Sequence, residues 1–68
     1  MINLRNERIM RGWSLEYVAN KIGVTKTAIH DIETGKRQGS IKVWDALEDL
    51  FDINQRTLRK ESNKKRGE

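Results

Sequence analysis

The side chains with the most chemistry to offer lie within one short stretch of the chain. They combine a cation, a hydroxyl, an imidazole and a carboxylate: Lys26, Thr27, His30 and Asp31. No serine or carboxylate stands at the spacing of a catalytic partner for His30, and the chain shows no paired catalytic carboxylates or phosphate loop. We therefore expect no enzyme activity. The same residue types suit binding through hydrogen bonds and charge.

A predicted helix would present these side chains on one face. Thr25 can cap it, because its hydroxyl accepts from a free backbone N–H, and Gly35 would end it. The buried face is predicted by three apolar residues at helical spacing, Ala28, Ile29 and Ile32. By elimination, the outer face contains Lys26, Thr27, His30, Asp31 and, at its edge, Thr34.

A second short helix precedes this one. Ser14 caps it, Gly23 stops it, and its apolar stripe consists of Leu15, Val18, Ala19 and Ile22. Gly23 can adopt a positive φ without a Cβ clash. The two helices are therefore joined by about three residues and should meet at a steep angle.

Three further helices complete the predicted all-α domain, residues 1–61. The first runs from Asn3, as its N-cap, to Arg11. The fourth follows the cap Ser40 and carries a wide apolar stripe: Val43, Trp44, Leu47, Leu50 and Phe51. The fifth runs from about Asn54 to Glu61 and is anchored by Leu58. Absence of proline favours helices, whereas residues 62–68 lack apolar side chains and predict a basic, disordered tail.

Size and charge narrow the class of protein. The 68 residues suit one small domain. Cysteine is absent and histidine occurs once, so we expect no metal or other cofactor. The net charge is +4, yet residues 43–55 contain four carboxylates and no Lys or Arg. This distribution favours a polyanionic partner, with the acidic block turned away from it. No apolar run is long enough for a membrane span, and we expect a cytoplasmic protein.

A recurring pattern of small, apolar and charged positions runs through the two-helix unit: Ala19, Gly23, Val24, Ile29, Ile32, Glu33, Gly35 and Lys36. Arg8 precedes it, four residues before Gly12. Together these residues resemble the helix-turn-helix of the phage-repressor and Cro family, which includes restriction-system controller proteins and many antitoxins. The resemblance covers about residues 4–58. It implies a compact domain of four to five helices whose third helix enters the major groove of DNA.

The resemblance also implies which side chains meet DNA. Contacts to base edges are expected from the start and next turn of the third helix: Lys26, Thr27, Ala28, His30 and Asp31. Contacts to phosphates are expected around it: Arg8, Thr25, Thr34, Lys36, Arg37 and Lys42. In the family, the arginine and glutamate at Arg8 and Glu33 form an ion pair, and we expect the same here. Ala28 could instead pack against the core.

Three positions depart from the pattern of the resembled family. Asp31 is unusual on a DNA-facing helix: it could accept from cytosine, orient Lys26 or Arg37, or reject wrong bases. Leu15 stands where the family often has a glutamine that grips a phosphate. Gly39 stands where the family often has proline. We do not carry the glutamine's contact over to Leu15.

The predicted function is transcriptional repression by a dimer. One such unit rarely supplies enough affinity, so geometry and resemblance predict a homodimer on a palindromic operator, with recognition helices about 34 Å apart. The interface is expected at Phe51, Ile53, Gln55 and Leu58. Alternatives are an activator acting through the acidic fourth helix, an antitoxin or controller protein, and a module that binds only proteins. No membrane or small-molecule partner is expected.

Overall fold

Five helices, α1 to α5, fill most of residues 2–61, the range that the computed structural model describes. They are α1 (Asn3–Met10), α2 (Leu15–Ile22), α3 (Lys26–Thr34), α4 (Ile41–Phe51) and α5 (Gln55–Arg59). Within that range an isolated β-bridge is the only extended pairing, and the prediction of an all-α fold is confirmed. The predicted tail, residues 62–68, lies outside the described residues.

Hydroxyl caps begin three of the helices, as the sequence predicts. The side chains of Ser14, Thr25 and Ser40 each accept from the backbone N–H three residues on, at 2.9, 3.1 and 3.2 Å. These bonds satisfy N–H groups that the first turn of a helix leaves free. Gly23 follows α2 with φ +79°, so α2 ends and α3 begins at the predicted corner.

The start of α1 departs from the prediction. Asn3 is not an N-cap but the first helical residue, and it follows Ile2, whose backbone is extended. Ile2 forms an antiparallel bridge with Glu61, and the Asn3 N–H donates to the Lys60 carbonyl at 2.7 Å. A carbonyl from the far end of the described chain thus replaces a side-chain cap. Because Lys60 is already extended, α5 ends at Arg59 and not at Glu61.

One apolar core joins the five helices. Its buried members are Leu4, Val18, Ala19, Ile29, Ile32, Trp44, Leu47, Phe51 and Leu58. The sequence prediction that Phe51 and Leu58 form a dimer interface is wrong, because these side chains are 1% and 0% exposed. A domain of this size buries little surface and uses both residues for its own core.

Arg11 ties α1 to the end of α4. Its Nη2 donates to the Phe51 carbonyl at 3.0 Å, and its guanidinium lies 5.1 Å from the centre of the Phe51 ring. Its Nη1 also pairs with Glu7 at 2.6 Å. A cation beside a terminal carbonyl complements the helix dipole, so Arg11 stabilises the end of α4.

Trp44 anchors the loop between α3 and α4. Its indole Nε1 donates to the Gln38 carbonyl at 2.7 Å, and the Arg59 guanidinium lies 4.8 Å from the ring centre. Gly39, with φ +79°, lies so close that a Cβ there would be 3.0 Å from Nε1. This backbone excludes the proline that the resembled family often has here, because the proline ring fixes φ at about −65°.

Gly39→Ala should destabilise the protein more than Gly12→Ala. Both glycines have positive φ, +79° and +73°, so either alanine costs about 1–2 kcal/mol in backbone strain. A Cβ at Gly39 would also lie 3.0 Å from Trp44 and 3.2 Å from Ile32, whereas nothing lies within 4 Å at Gly12. Urea unfolding should show about 1 kcal/mol of extra loss for Gly39→Ala. Equal losses would mean that the indole moves aside without cost.

Candidate nucleic-acid interface

The outward face of α3 is polar and accessible. Three residues are buried on its inner face: Ile29, Ile32 and Glu33. The predicted outer face comes together as expected, with three exposed residues: Lys26, Thr27 and His30. Asp31 and Thr34 are half-buried at its edge, and Ala28 is half-buried beside the core. This arrangement gives a hydrogen-bonding surface on a helix whose other side is fixed.

Arg8 and Glu33 form the predicted ion pair. Arg8 Nε donates to Glu33 Oε2 at 2.7 Å, and Nη2 donates to Oε1 at 3.2 Å. Arg8 Nη1 donates to the Trp13 carbonyl at 2.8 Å. The two side chains are 12% and 2% exposed. This pair locks α3 to α1 and to the corner before α2, while the phosphate contact of Arg8 stays a prediction.

Asp31 organises the C-terminal end of α3. Its carbonyl accepts from Lys36 N at 2.9 Å, from Arg37 N at 3.2 Å and from Thr34 Oγ1 at 3.3 Å. Its carboxylate lies 3.8 Å from Arg37 Nη2 and 4.0 Å from His30 Nδ1. Among the roles predicted for Asp31, orientation of Arg37 therefore has a contact in the structure.

The other residues that are predicted to contact phosphates differ in exposure and in the hydrogen bonds that they already make. Lys36, Arg37 and Lys42 are exposed. Thr34 already donates its hydroxyl proton to a main-chain carbonyl. Thr25 Oγ1 accepts from a backbone N–H, which leaves its own proton available to an acceptor. Their contacts with DNA stay predictions.

A surface depression lies where α2 begins. It is lined by Arg8, Ser14, Leu15, Glu16 and Lys26. Leu15 replaces the glutamine that often grips a phosphate in the resembled family, and the Glu16 carboxylate repels an anion. We therefore expect the start of α2 to contribute less to phosphate binding here than the resemblance alone implies.

The acidic block forms a distinct surface on α4 and α5. Gln55 Nε2 donates to Asp45 Oδ1 and to Glu48 Oε1, both at 2.9 Å. Ile41 at the start of α4 is 75% exposed, and Arg56 on α5 is also exposed. We call these five residues the α4–α5 surface. It combines one apolar side chain, ordered acids and a cation.

Ile41 is a candidate that the sequence prediction missed. A signal was present, because Ile41 lies out of phase with the apolar stripe that begins at Val43. An apolar residue off the stripe of an amphipathic helix has no place in the core. The structure confirms that Ile41 points away from it.

Residues 2–61 contain neither a candidate metal site nor a candidate membrane-spanning helix. No group of three His, Cys, Asp or Glu side chains in this range could hold a metal ion. Over the same residues, every helix is too short or too polar to cross a membrane.

Known proteins share this sequence pattern and this fold. The sequence model of the helix-turn-helix family matches residues 4–54. The HTH-type transcriptional regulator AnsR of Bacillus subtilis is 38% identical over 45 residues, which make up 66% of this chain and 39% of that protein. The chain thus spans well under half of that relative.

Two solved structures of the N-terminal DNA-binding domain of SinR from Bacillus subtilis are also similar. The first has a TM-score of 0.74 at 27% identity and covers 90% of each chain. The second has a TM-score of 0.70 at 28% identity and covers 97% of this chain and 100% of the other. The arrangement of the five helices is therefore that of a known domain.

Arg8→Met should destabilise the protein by about 3 kcal/mol, because it leaves the Glu33 carboxylate buried without its partner. The double variant Arg8→Met with Glu33→Leu should recover at least half of this loss, since it removes both charges together. Urea unfolding followed by tryptophan fluorescence measures both values. A loss below about 1 kcal/mol in the single variant would contradict the role given to this pair.

Proposed function

Because the chain belongs to the helix-turn-helix family of the phage-repressor and Cro type, we propose that it binds double-stranded DNA as a sequence-specific transcriptional repressor. One observation carries the proposal: α3 presents Lys26, Thr27 and His30 to solvent while its inner face is held in the core. The major groove admits an α-helix and displays donors and acceptors that such side chains can read.

Base recognition is assigned to the first two turns of α3. Lys26 would donate to the O6 and N7 acceptors of guanine, and Thr27 would meet a thymine methyl or an acceptor. His30 lies one turn further along the same face. Ala28 is half-buried and would offer a base at most the edge of its methyl group.

Phosphate binding is assigned to residues beside α3. Lys36 and Arg37 supply cations after its C-terminal end, and Lys42 supplies another in the first turn of α4. Thr25 is placed at the N-terminus of α3, where free N–H groups and the helix dipole favour an anion. Arg8 and Thr34 already bond within the protein, so we assign them mainly to holding α3.

The proposed active form is a homodimer whose interface is the α4–α5 surface. The exposed Ile41 side chain would meet its copy across a two-fold axis. The acids of α4 and the exposed Arg56 of α5 have opposite charges, and the proposed two-fold axis would pair them across the interface. Gln55 stays part of the proposed interface, and Ile53 lies half-buried at its edge.

Repression would follow by occlusion. Two recognition helices about 34 Å apart occupy successive major grooves on one side of the duplex. A dimer bound in this way excludes polymerase from an overlapping promoter. Such a protein acts where the genome lies, and the cytoplasm stays its proposed location.

Selection from a random-sequence DNA pool should enrich an inverted repeat. On that duplex, Lys26→Ala should cost about 1–3 kcal/mol and relax the preference at one position of each half-site. Arg37→Ala should weaken binding to every sequence and reduce the slope of log affinity against log salt by about one. Lys21→Ala is the matched control. Lys21 is exposed on α2, with its ammonium 5.4 Å from the Tyr17 ring centre, and its loss should leave the base preference unchanged.

The same measurements separate the alternatives. Sequence-blind or absent binding would contradict the proposed repressor. Binding to DNA that requires a partner protein would identify an antitoxin. A protein partner whose binding survives alanine at Lys26, Lys36 and Arg37 together would identify an interaction module.

Ile41→Lys should weaken the dimer at least about tenfold, because it replaces the exposed apolar side chain of the α4–α5 surface with a charge. Analytical ultracentrifugation on the selected duplex should give two wild-type protomers per duplex. Met10→Lys is the control, since Met10 is 76% exposed and Ile41 75% exposed. One wild-type protomer per duplex, or equal effects of the two substitutions, would contradict the proposed interface.

A further inference from the structure

We propose that Asp31 is a positioning residue that holds Arg37 for DNA, and that it thereby determines how well the protein distinguishes its operator from other DNA. The proposal rests on the DNA-binding function above. An acidic side chain at the edge of a DNA-facing helix repels phosphates, so its presence needs a compensating role.

The main chain of Asp31 fixes the loop that carries Arg37. Its carbonyl accepts from the N–H groups of both Lys36 and Arg37, at 2.9 and 3.2 Å. It also accepts from Thr34 Oγ1 at 3.3 Å. The backbone of the two loop cations is therefore tied to the last turn of the recognition helix.

The side chain of Asp31 acts on the same loop. Its Oδ2 lies 3.8 Å from Arg37 Nη2, and its Oδ1 lies 4.0 Å from His30 Nδ1. The Asp31 side chain is 19% exposed, whereas those of Arg37 and His30 are 60% and 54% exposed. The two neighbours therefore extend into solvent beyond the carboxylate. This geometry suits a residue that orients them better than one that reads cytosine itself.

Orientation matters because a free arginine side chain loses considerable rotamer entropy when it binds. A carboxylate beside the guanidinium reduces that loss by restricting Arg37 before DNA arrives. On the operator, where α3 is fully seated, Arg37 benefits from this restriction. On other DNA, the loosely held protein gains less from it and still experiences the repulsion between Asp31 and phosphates.

These two effects on operator binding have opposite signs, so Asp31→Asn distinguishes them. If Asp31 contributed only charge, Asp31→Asn would tighten binding to all DNA. If Asp31 positions Arg37, the same change loosens binding to the operator and leaves or tightens binding to random DNA. The substitution keeps the main-chain carbonyl, so the hydrogen bonds from the N–H groups of Lys36 and Arg37 would remain.

The test measures the affinity of the full chain for the selected duplex and for a random-sequence duplex pool, at one salt concentration. Asp31→Asn should weaken operator binding roughly tenfold and lower the ratio of operator to random affinity by at least that factor. In the Arg37→Ala background, Asp31→Asn should cause no further loss. Asp31→Glu should recover part of the affinity, and Asp49→Asn controls for the change in net charge.

Each other outcome overturns the proposal in a distinct way. Equal tightening on both DNAs would reduce Asp31 to electrostatic repulsion. An equal loss with and without Arg37, together with relaxed preference at one base pair, would make Asp31 a base reader. A loss that follows a lowered melting temperature would make its role structural. Failure of the wild-type chain to prefer any sequence would instead remove the proposed function itself.

Discussion

A carboxylate buried in the middle of a small protein constrains the placement of everything around it. Glu33 is 1% exposed, and an ionised group in that position needs both a counter-charge and hydrogen bonds. Arg8 supplies two of these bonds and gives a third to the Trp13 carbonyl. Rotation or sliding of α3 would break this set. The pair on the inner face therefore fixes which side chains the outer face presents.

The ends of the described chain reinforce the same helix. The Ile2 N–H donates to the Glu33 carbonyl at 3.3 Å, and Ile2 pairs in turn with Glu61. Glu33, whose carboxylate is buried, thus also binds Ile2 through its main-chain carbonyl. These main-chain contacts add to the packing of nine buried apolar residues within the described range. Together they hold the nine-residue α3 in place without a large core.

Local features of the sequence predicted much of this structure. Ser14, Thr25 and Ser40 act as caps through bonds that span three residues, so their signals are visible in a short window. The outer face of α3 was predictable for the same reason. The cap predicted at Asn3 failed because a carbonyl from Lys60 accepts from the Asn3 N–H, a contact that no local pattern records.

The prediction that Phe51 and Leu58 contribute to a dimer surface failed for a related reason. Phe51 and Leu58 are apolar enough to lie either in an interface or in a core, and only the packing of the whole domain decides which. Their burial leaves few apolar side chains for a partner. Within residues 2–61 the large exposed hydrophobics are Ile9, Met10, Tyr17 and Ile41. The proposed interface on the α4–α5 surface would therefore have one apolar residue and a polar rim, whereas stable dimers bury more apolar area. We expect such an interface to associate weakly without DNA. In the proposed complex, operator DNA would bind both protomers and raise their local concentration, so we expect dimer formation and operator binding to be strongly coupled. A protein built in this way would respond steeply to its own concentration.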